Sequence, residues 1–229
     1  MKHAPRHARA RLLVPVCGAL ALAGGCALTS KSDPVLFRYF TPEGLDRAEP
    51  TATATADTAK DLQIRFGRVT SAAYLKDRIA FRDSSFEIGY LDDARWTEKP
   101  ETYLRRALSR ALFEKHGIQQ IISGPGPMLE VELEAFEEMR APRHAARVEL
   151  TWSVSDDQVV RAQERFTVER ELSAKGSSSP SEIAKALSVA LDEAVSRVVA
   201  RVTSLLPTIQ TAREVPMPVD AGVDARAAR

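Results

Sequence analysis

The sequence predicts an α+β fold, in which an antiparallel sheet arranged as a meander packs one of its faces against two amphipathic helices. Three runs, at residues 129–136, 148–154 and 160–168, alternate apolar and polar residues as half-buried strands do. Two other segments, at residues 104–112 and 183–205, repeat apolar residues with the helical period. Because every strand and helix has one apolar side, the two layers are expected to cover each other.

The first half of the chain contains shorter elements. Residues 35–40 form a strand-like run, and Leu62, Ile64 and Phe66 alternate with polar residues. Two apolar runs at 79–81 and 86–90 flank a polar turn, which predicts a hairpin. The first helix follows Pro100 and should end at Gly117. Its apolar stripe comprises Leu104, Ala107, Leu108, Ala111 and Leu112. Residues 118–122 are a further candidate strand.

The last helix has a capping box. Ser179 and Glu182 stand at the required spacing, and Pro180 occupies the first helical position. The apolar stripe of this helix comprises Ile183, Leu187, Ala190, Leu191, Ala194, Val195, Val198, Val202 and Leu205. We therefore expect the folded domain to span residues 33–206, with a loose loop of low complexity at 49–60 and a disordered tail at 207–229.

The N-terminus has the three parts of a secretory signal peptide at residues 1–25. Four basic residues come first, a short apolar run from Leu12 to Ala23 follows, and small residues precede Cys26. The apolar run is shorter than the roughly 20 residues that a transmembrane helix needs.

Residues 22–26 (LAGGC) resemble the bacterial lipobox, in which cleavage precedes a cysteine that is then lipidated. Cys26 is therefore the predicted lipidation site, and residues 26–34 would form a short tether to the membrane. Several acyl chains on one cysteine make such an anchor stable, since each buried CH₂ contributes about 0.8 kcal/mol. The alternative is an ordinary thiol behind an ordinary signal sequence. Ala27, in place of an aspartate that would favour retention at the inner membrane, favours the outer membrane.

The charge of the predicted mature chain argues against nucleic-acid binding. Cleavage removes four of the 32 Lys and Arg residues and leaves 31 Asp and Glu, so the net charge is near −3. Binding to a phosphate backbone needs clustered positive charge. Cys26 is then the only cysteine, so no disulfide is expected.

No catalytic motif, cofactor site or metal site is predicted, and we expect the chain not to be an enzyme. The phosphate-binding loop and the GxSxG motif are absent. His116 and His144, which follow the signal peptide, lack a second ligand nearby, so a solvated histidine is the preferred interpretation of both.

Five acidic residues on one strand could suggest a cation site. They are Glu130, Glu132, Glu134, Glu137 and Glu138. Three of them alternate along the strand, which favours a solvent-exposed face instead. Arg147, Arg161 and Arg165 on the next strands are the expected cross-strand partners.

The segment 72–100 combines aromatic residues with arginine and aspartate. One interpretation is a hairpin whose aromatic residues fill the core. Aromatic residues and arginine also anchor protein interfaces, so Tyr90, Arg95 and Trp96 are candidates for binding a partner.

This segment, together with the lipobox, resembles the ABC-type transport auxiliary lipoproteins, the family of the lipoprotein component of the paraquat-inducible transport system. The resemblance spans about residues 33–206. The matching positions are Tyr74, Leu75, Arg78, Arg82, Asp83, Tyr90 and residues 96–100. Ala80 and Phe81 depart from the Val-Tyr that members often have there, and the 49–60 segment is an insertion.

The resemblance implies an outer-membrane lipoprotein in an intermembrane lipid-transport system, facing the periplasm. It would dock a bridging protein with a mammalian-cell-entry-type domain, while other chains supply the ATPase and permease. Members of that family can form rings, so the resemblance is also compatible with a homo-oligomer. Two alternatives stay open: a periplasmic carrier that binds lipid between sheet and helices, and an assembly lipoprotein for another outer-membrane machine.

Overall fold

A computed structural model describes residues 35–42, 61–156, 159–172 and 178–214. The predicted signal peptide, Cys26, the tether before residue 35, the 49–60 loop and residues 215–229 lie outside these ranges. Val35 and Leu36 belong to a separate unit covering residues 1–36, and the unit described below begins at Phe37.

The described part of the second unit contains eight strands and two helices. The strands are β1 (Arg38–Phe40), β2 (Gln63–Ser71), β3 (Arg78–Arg82), β4 (Ile88–Trp96), β5 (Gln119–Gln120), β6 (Met128–Met139), β7 (Ala145–Asp156) and β8 (Val159–Glu171). The helices are α1 (Pro100–Ser109), which continues into a π-helical segment (Arg110–Lys115), and α2 (Pro180–Glu214). The predicted strand at 118–122 is reduced to the two residues of β5.

All eight strands belong to one open sheet in which β6 is the central strand. On one side, β6 pairs antiparallel with β7, and β7 pairs antiparallel with β8. On its other side, β6 pairs with β2 along its first half and with β3 along its second half. Beyond these, β5 pairs with β2, and β4 and β1 extend the sheet from β3.

The sheet is mixed, which corrects the predicted antiparallel meander. The pairs β1–β4, β2–β5, β2–β6 and β3–β6 are parallel. A parallel pair needs a long crossover connection, and α1 lies between β4 and the strands that follow it. The connection through α1 is long enough for the chain to cross back over the sheet, so β6 runs parallel to β2 and β3. The hairpin predicted around residue 84 is present as the antiparallel pair β3–β4.

The two helices contribute to one core with the sheet. In α1 the buried side chains include Tyr103, Leu104, Ala107 and Leu108, and the stripe of α2 is buried from Ile183 to Val202. Trp96, Trp152, Tyr103 and Phe136 are the largest side chains that are fully buried. Gly117, at φ +67°, follows the end of the π-helical segment, as the sequence predicts.

The capping box of α2 forms as predicted. The Glu182 carboxylate accepts a hydrogen bond from the Ser179 backbone N–H at 2.8 Å, and the Glu182 N–H donates to Ser179 Oγ at 3.3 Å. The bonds that the Ser179 backbone N–H and the Ser179 hydroxyl donate to the Glu182 carboxylate lower the pKa of Glu182 below its ordinary value. The helix then continues through Pro207 to Glu214, which corrects the expected start of a disordered tail at residue 207. Ile209 is buried and the Gln210 amide donates to the Gln63 carbonyl, so the last turns are attached to β2.

Candidate functional site

Trp96, one of the three candidate partner-binding residues, lies in the core. Its side chain is 2% exposed, and its ring packs against Phe136 at 5.1 Å and Tyr103 at 6.1 Å between centroids. A partner cannot contact a ring that is covered in this way. The structure therefore corrects the partner-binding role of Trp96, and the alternative core interpretation holds for it.

Tyr90 is half-buried in β4 and is held on two sides. Its hydroxyl donates to the Tyr74 backbone carbonyl at 2.9 Å, and the guanidinium of Arg78 lies 4.8 Å from the centre of its ring. Tyr90 thus fixes the loop between β2 and β3 while part of its surface stays accessible.

Arg95 lies next to β1 at the edge of the sheet. Its guanidinium donates to the carbonyls of Leu91 and Ala94 and lies 4.4 Å from the ring centre of Phe37. Phe37 and Tyr39 are 48% and 65% exposed. We call Phe37, Tyr39 and Arg95 the β1 edge patch. It combines two accessible aromatic rings with a cation, which are the side chains that protein interfaces favour.

A buried ionic network lies on the sheet face opposite the helices. At its centre Glu137, which is fully buried, accepts hydrogen bonds from Arg82 Nε at 2.7 Å and from the Tyr74 hydroxyl at 2.9 Å. Arg147 Nη1 lies 4.0 Å from Glu137 Oε1. Burial, followed by the negative charge of Glu137, raises the pKa of Tyr74, and the hydrogen bond to Glu137 raises the pKa of Arg82. Tyr74 and Arg82 therefore serve as fixed hydrogen-bond donors to the buried Glu137 carboxylate.

The same face carries a second carboxylate, Glu149, between two arginines. Arg165 Nε donates to Glu149 at 2.7 Å and its Nη2 to Glu134 at 2.5 Å, while Arg147 forms a further bond with Glu149. Burial disfavours the charged form of Glu149, but the hydrogen bonds from Arg147 and Arg165 outweigh it and lower its pKa. The predicted cross-strand pairing is confirmed for Arg147 with Glu137 and for Arg165 with Glu134. Arg161 pairs instead with Asp156 at 3.9 Å.

A β-bulge explains why Glu137 shares the face of Glu130, Glu132 and Glu134, opposite the core, whereas Glu138 does not. The register of β6 against β7 shifts between Leu133 and Ala135, so the alternation of side chains reverses there. Phe136 consequently takes a core position and Glu137 moves to the opposite face. The sequence contains the signal, because Ala135 and Phe136 are adjacent apolar residues that break the alternation.

Glu138 falls on the other face from Glu137 and forms a separate cluster. It is 2% exposed and accepts hydrogen bonds from Arg140 Nε at 3.1 Å and from His144 Nε2 at 2.7 Å. His144 lies in a loop and is hydrogen-bonded to Glu138, so the expectation of a solvated histidine is wrong at this position. His116, in contrast, is exposed. Arg140 also pairs with Asp83 and stacks on Phe81.

The surface above the first network is an open depression of about 360 Å³. Tyr74, Arg82, Glu134, Arg147 and Arg165 contribute to its lining. These groups are charged or polar and most are paired with one another, so the depression suits polar contacts and is a poor environment for an acyl chain. Among the described residues, no group of three or more His, Cys, Asp or Glu side chains is arranged to hold a metal ion. Within those same ranges, no helix has the length and apolar character needed to cross a membrane.

Comparison with known families gives a match over residues 44–199, to the model described as the ABC-type transport auxiliary lipoprotein component. The match spans more than half of the chain. This chain belongs to the ABC-type transport auxiliary lipoprotein family. No curated protein matches it.

Solved structures share the fold of this auxiliary lipoprotein. A protein from Xanthomonas campestris is 23% identical, with a TM-score of 0.57 over 67% of this chain and 89% of the other. An uncharacterized protein is 13% identical, with a TM-score of 0.53 over 73% of this chain and 99% of the other. At these identities the likeness concerns the fold alone. Membership in the family makes the chain an auxiliary component of a transport system.

Proposed function

We propose that this chain is a lipid-anchored, non-catalytic subunit of an intermembrane lipid-transport system, which docks the periplasmic bridging protein at the outer membrane. Family membership carries the proposal, since the family is an auxiliary component of ABC-type transport. Other chains would supply the ATPase and the permease. Cys26 provides the anchor and Ala27 favours the outer membrane. Family resemblance also favours several copies acting together as a ring.

The β1 edge patch is the proposed docking surface for the mammalian-cell-entry-type bridging protein. Tyr90 and Arg95 keep accessible surface, and Phe37 and Tyr39 add exposed aromatic area. Within the described residues, β1 pairs only with β4, so its outer edge offers backbone groups as well. Trp96 supports this surface from below, because its backbone pairs with Phe40 of β1.

Co-purification of tagged full-length chain tests the docking surface. We expect Tyr39→Ala combined with Arg95→Ala to lower recovery of the bridging protein at least tenfold while the melting temperature stays within a few degrees, because both side chains are on the surface. Ile122→Ser is the matched control, since Ile122 is an apolar side chain 92% exposed in a loop distant from β1 in the sheet. Unchanged recovery with the double variant, or no bridging protein with the unaltered chain, would overturn the docking proposal.

The anchor is tested separately with Cys26→Ala. The variant should fold normally but leave the membrane fraction, because the acyl chains that hold the protein there are lost. Intact-mass analysis of the unaltered mature chain should show acylation at residue 26. A mature chain without that added mass would contradict the anchor.

The alternative of a lipid-binding carrier is less well supported by the packing. Large side chains such as Trp96, Trp152 and Phe136 fill the space between sheet and helices, and the open depression is lined by paired charges. Native mass spectrometry of the chain without its acyl chains would reveal a retained lipid and favour the carrier. Co-purification of an outer-membrane machine without the bridging protein would favour an assembly lipoprotein.

A further inference from the structure

The turn between β3 and β4, at residues 83–87, carries an uncovered aromatic ring. Phe86 is 98% exposed, more than any other large apolar side chain in the ranges that the structure describes. Its backbone N–H donates to Ser84 Oγ at 3.3 Å, which holds the backbone of the turn. The phenyl ring therefore contributes nothing to the core and is available for contact with a surface outside the chain.

The loop between β6 and β7, at residues 140–144, is attached to this turn. The Arg140 backbone N–H donates to the Arg82 carbonyl at 2.9 Å, and the Arg140 guanidinium pairs with Asp83 at 3.3 Å. The same guanidinium lies over the ring of Phe81, which precedes the turn. The two loops are thus held side by side at one end of the sheet, and we call them the loop pair.

The tip of the second loop is apolar and lies between two arginines. Ala141 and Pro142 are exposed, and the side chains of Arg140 and Arg143 on either side are 35% and 74% exposed. Arginine can lay its apolar stem along an apolar surface while its guanidinium stays among polar groups. This arrangement suits the boundary between the headgroups and the acyl chains of a bilayer, where apolar and polar groups meet.

The loop pair has no excess of positive charge. Asp83 and Glu87 balance Arg140 and Arg143, so with His144 neutral the net charge of the two loops is zero. Contact with a bilayer would therefore depend on apolar surface and not on attraction to anionic lipids. Such a contact is expected to be insensitive to salt and to the charge of the lipid.

The strand that follows the predicted tether begins close to the loop pair. Tyr39 of β1 pairs with Arg95 of β4, and Arg95 pairs with Arg78, the first residue of β3. The strand β3 ends four residues later at Arg82, about 13 Å along the strand direction, where the turn begins. Because β4 leads away from the turn and β1 is parallel to β4, the chain enters β1 from the side of the turn.

The two ends of the sheet therefore differ in their relation to the predicted anchor. Cys26 precedes Arg38 by twelve residues, which span at most about 40 Å when extended. Ile122 is also a loop residue and is 92% exposed, but it precedes the first residue of β6. The 140–144 loop follows the last residue of β6, about 36 Å away. The loop pair lies at the end nearer to the start of β1.

One phenyl ring and two small apolar residues bind a bilayer too weakly to hold a free protein there, since even a single acyl chain gives only marginal binding. Acyl chains on Cys26 would change this. A second contact made by an anchored chain is intramolecular, and a short flexible linker gives it an effective concentration in the millimolar range. A weak contact is then sufficient to orient the domain.

We propose that Phe86 and the tip of the 140–144 loop insert into the headgroup region of the glycerophospholipid bilayer that holds the acyl anchor. The contact rests on the anchor at Cys26 that the proposed function assigns, and it adds an orientation to that anchor. The end of the sheet with the loop pair faces the bilayer, and the end with Ile122 faces away. The outer edge of β1 stays uncovered for docking.

Tryptophan fluorescence tests the insertion. Acylated full-length mature chain with Phe86→Trp is reconstituted into phosphatidylcholine vesicles, some of which carry bromine on the acyl chains near the headgroup. The added indole should emit at shorter wavelength than in detergent-free buffer and should be quenched by the brominated lipid. Ile122→Trp is the matched control, an equally exposed loop position at the other end of the sheet, and should show neither change. The unaltered chain gives the background from Trp96 and Trp152, which are buried.

Lipid composition and salt test the apolar nature of the contact. Quenching of the Phe86→Trp chain should be the same with or without phosphatidylglycerol in the vesicles and at low or high salt, because the loop pair has no net charge. Quenching that requires phosphatidylglycerol and disappears at high salt would mean electrostatic adsorption, which contradicts the insertion.

A second label tests whether the two loops insert together. An environment-sensitive fluorophore on Ala141→Cys should become brighter on the vesicles, whereas the same fluorophore on Ser123→Cys at the other end should not. Acylated Cys26 does not react with the label. Adding Phe86→Ser to the Ala141→Cys chain should remove the increase without changing the melting temperature, because the phenyl ring has no contacts within the fold.

Vesicle flotation and intact mass separate this contact from the anchor. An unaltered chain without acyl groups would overturn the anchor and the insertion together. An acylated chain that floats with the vesicles, but in which Phe86→Trp and Ile122→Trp respond alike, would overturn the insertion and leave the anchor intact. An increase at Ala141→Cys that survives Phe86→Ser would also contradict the proposed role of Phe86.

Discussion

The two faces of the sheet are stabilised by different physical means. On β7, Val148, Leu150 and Trp152 point into the core shared with the helices, where burial of apolar surface stabilises the fold. Alternating with them, Arg147, Glu149 and Thr151 point to the other face, which is covered by paired charges. The stabilisation from apolar burial is non-directional, whereas a buried carboxylate destabilises the fold when one of its hydrogen-bond donors is missing. The stability of the open face therefore depends more strongly on how individual side chains are placed.

Trp96→Ala should produce the largest effect, on the helix-covered face. Removing a fully packed indole costs about 3–5 kcal/mol, from lost burial and from the cavity that remains. Urea unfolding followed by the fluorescence of Trp152 measures the change. Tyr39→Ala, an exposed aromatic truncation on β1, is the control and should change stability by less than about 1 kcal/mol. If Trp96→Ala kept the unfolding free energy of the unaltered chain but no longer bound the bridging protein, Trp96 would contribute to docking and not to the core.

Arg82→Met should come next, on the open face. It leaves Glu137 buried with Tyr74 and the more distant Arg147 as its remaining partners, at a cost of about 2–3 kcal/mol. Replacing Glu137 by Gln in the same chain should recover part of that loss, because the uncompensated charge is then absent. Chemical unfolding of the single and double variants gives the coupling. If the two substitutions were simply additive, the ionic pair would not be what stabilises this face.

The sequence predicted the elements whose signals are local. The capping box and stripe of α2 follow from residues 179–202, and the alternation in β7 follows from Val148, Leu150, Trp152 and Val154. Local patterns do not report pairing partners, so the parallel placement of β2 and β3 beside β6 was missed. Pro207 argued for the end of the helix, but contacts of Ile209 and Gln210 with the rest of the domain overrode it.

The candidate site was harder to predict than the fold. The sequence identified Tyr90 and Arg95 as candidates, and both keep accessible surface in the structure. The aromatic character of Trp96 was equally compatible with an interface and with a core position. Burial distinguishes these two cases, and it depends on Tyr103 in the following helix and on Phe136, which is distant in sequence. The network around Glu137 was missed because one bulge reverses the faces of every residue after it.

The smallest effect should be the pH dependence contributed by Glu149. Its pKa is lowered in the folded protein, so the unfolded chain binds more protons at mildly acidic pH, and stability rises with pH in that range. The stabilisation is fully present above the ordinary glutamate pKa, about 4.3, and is lost as pH falls toward the lowered value. Glu149→Gln removes this titration, and its unfolding free energy should therefore change less between neutral pH and pH values below 4.

Glu132→Gln, at an exposed position on β6, is the control and should follow the unaltered chain across the same pH range. Urea midpoints measured at several pH values provide the comparison. A Glu149→Gln protein that kept the full acid sensitivity of the unaltered chain would show that Arg147 and Arg165 do not hold this carboxylate in its charged form. The open face would then depend on Glu137 alone for its ionic stabilisation.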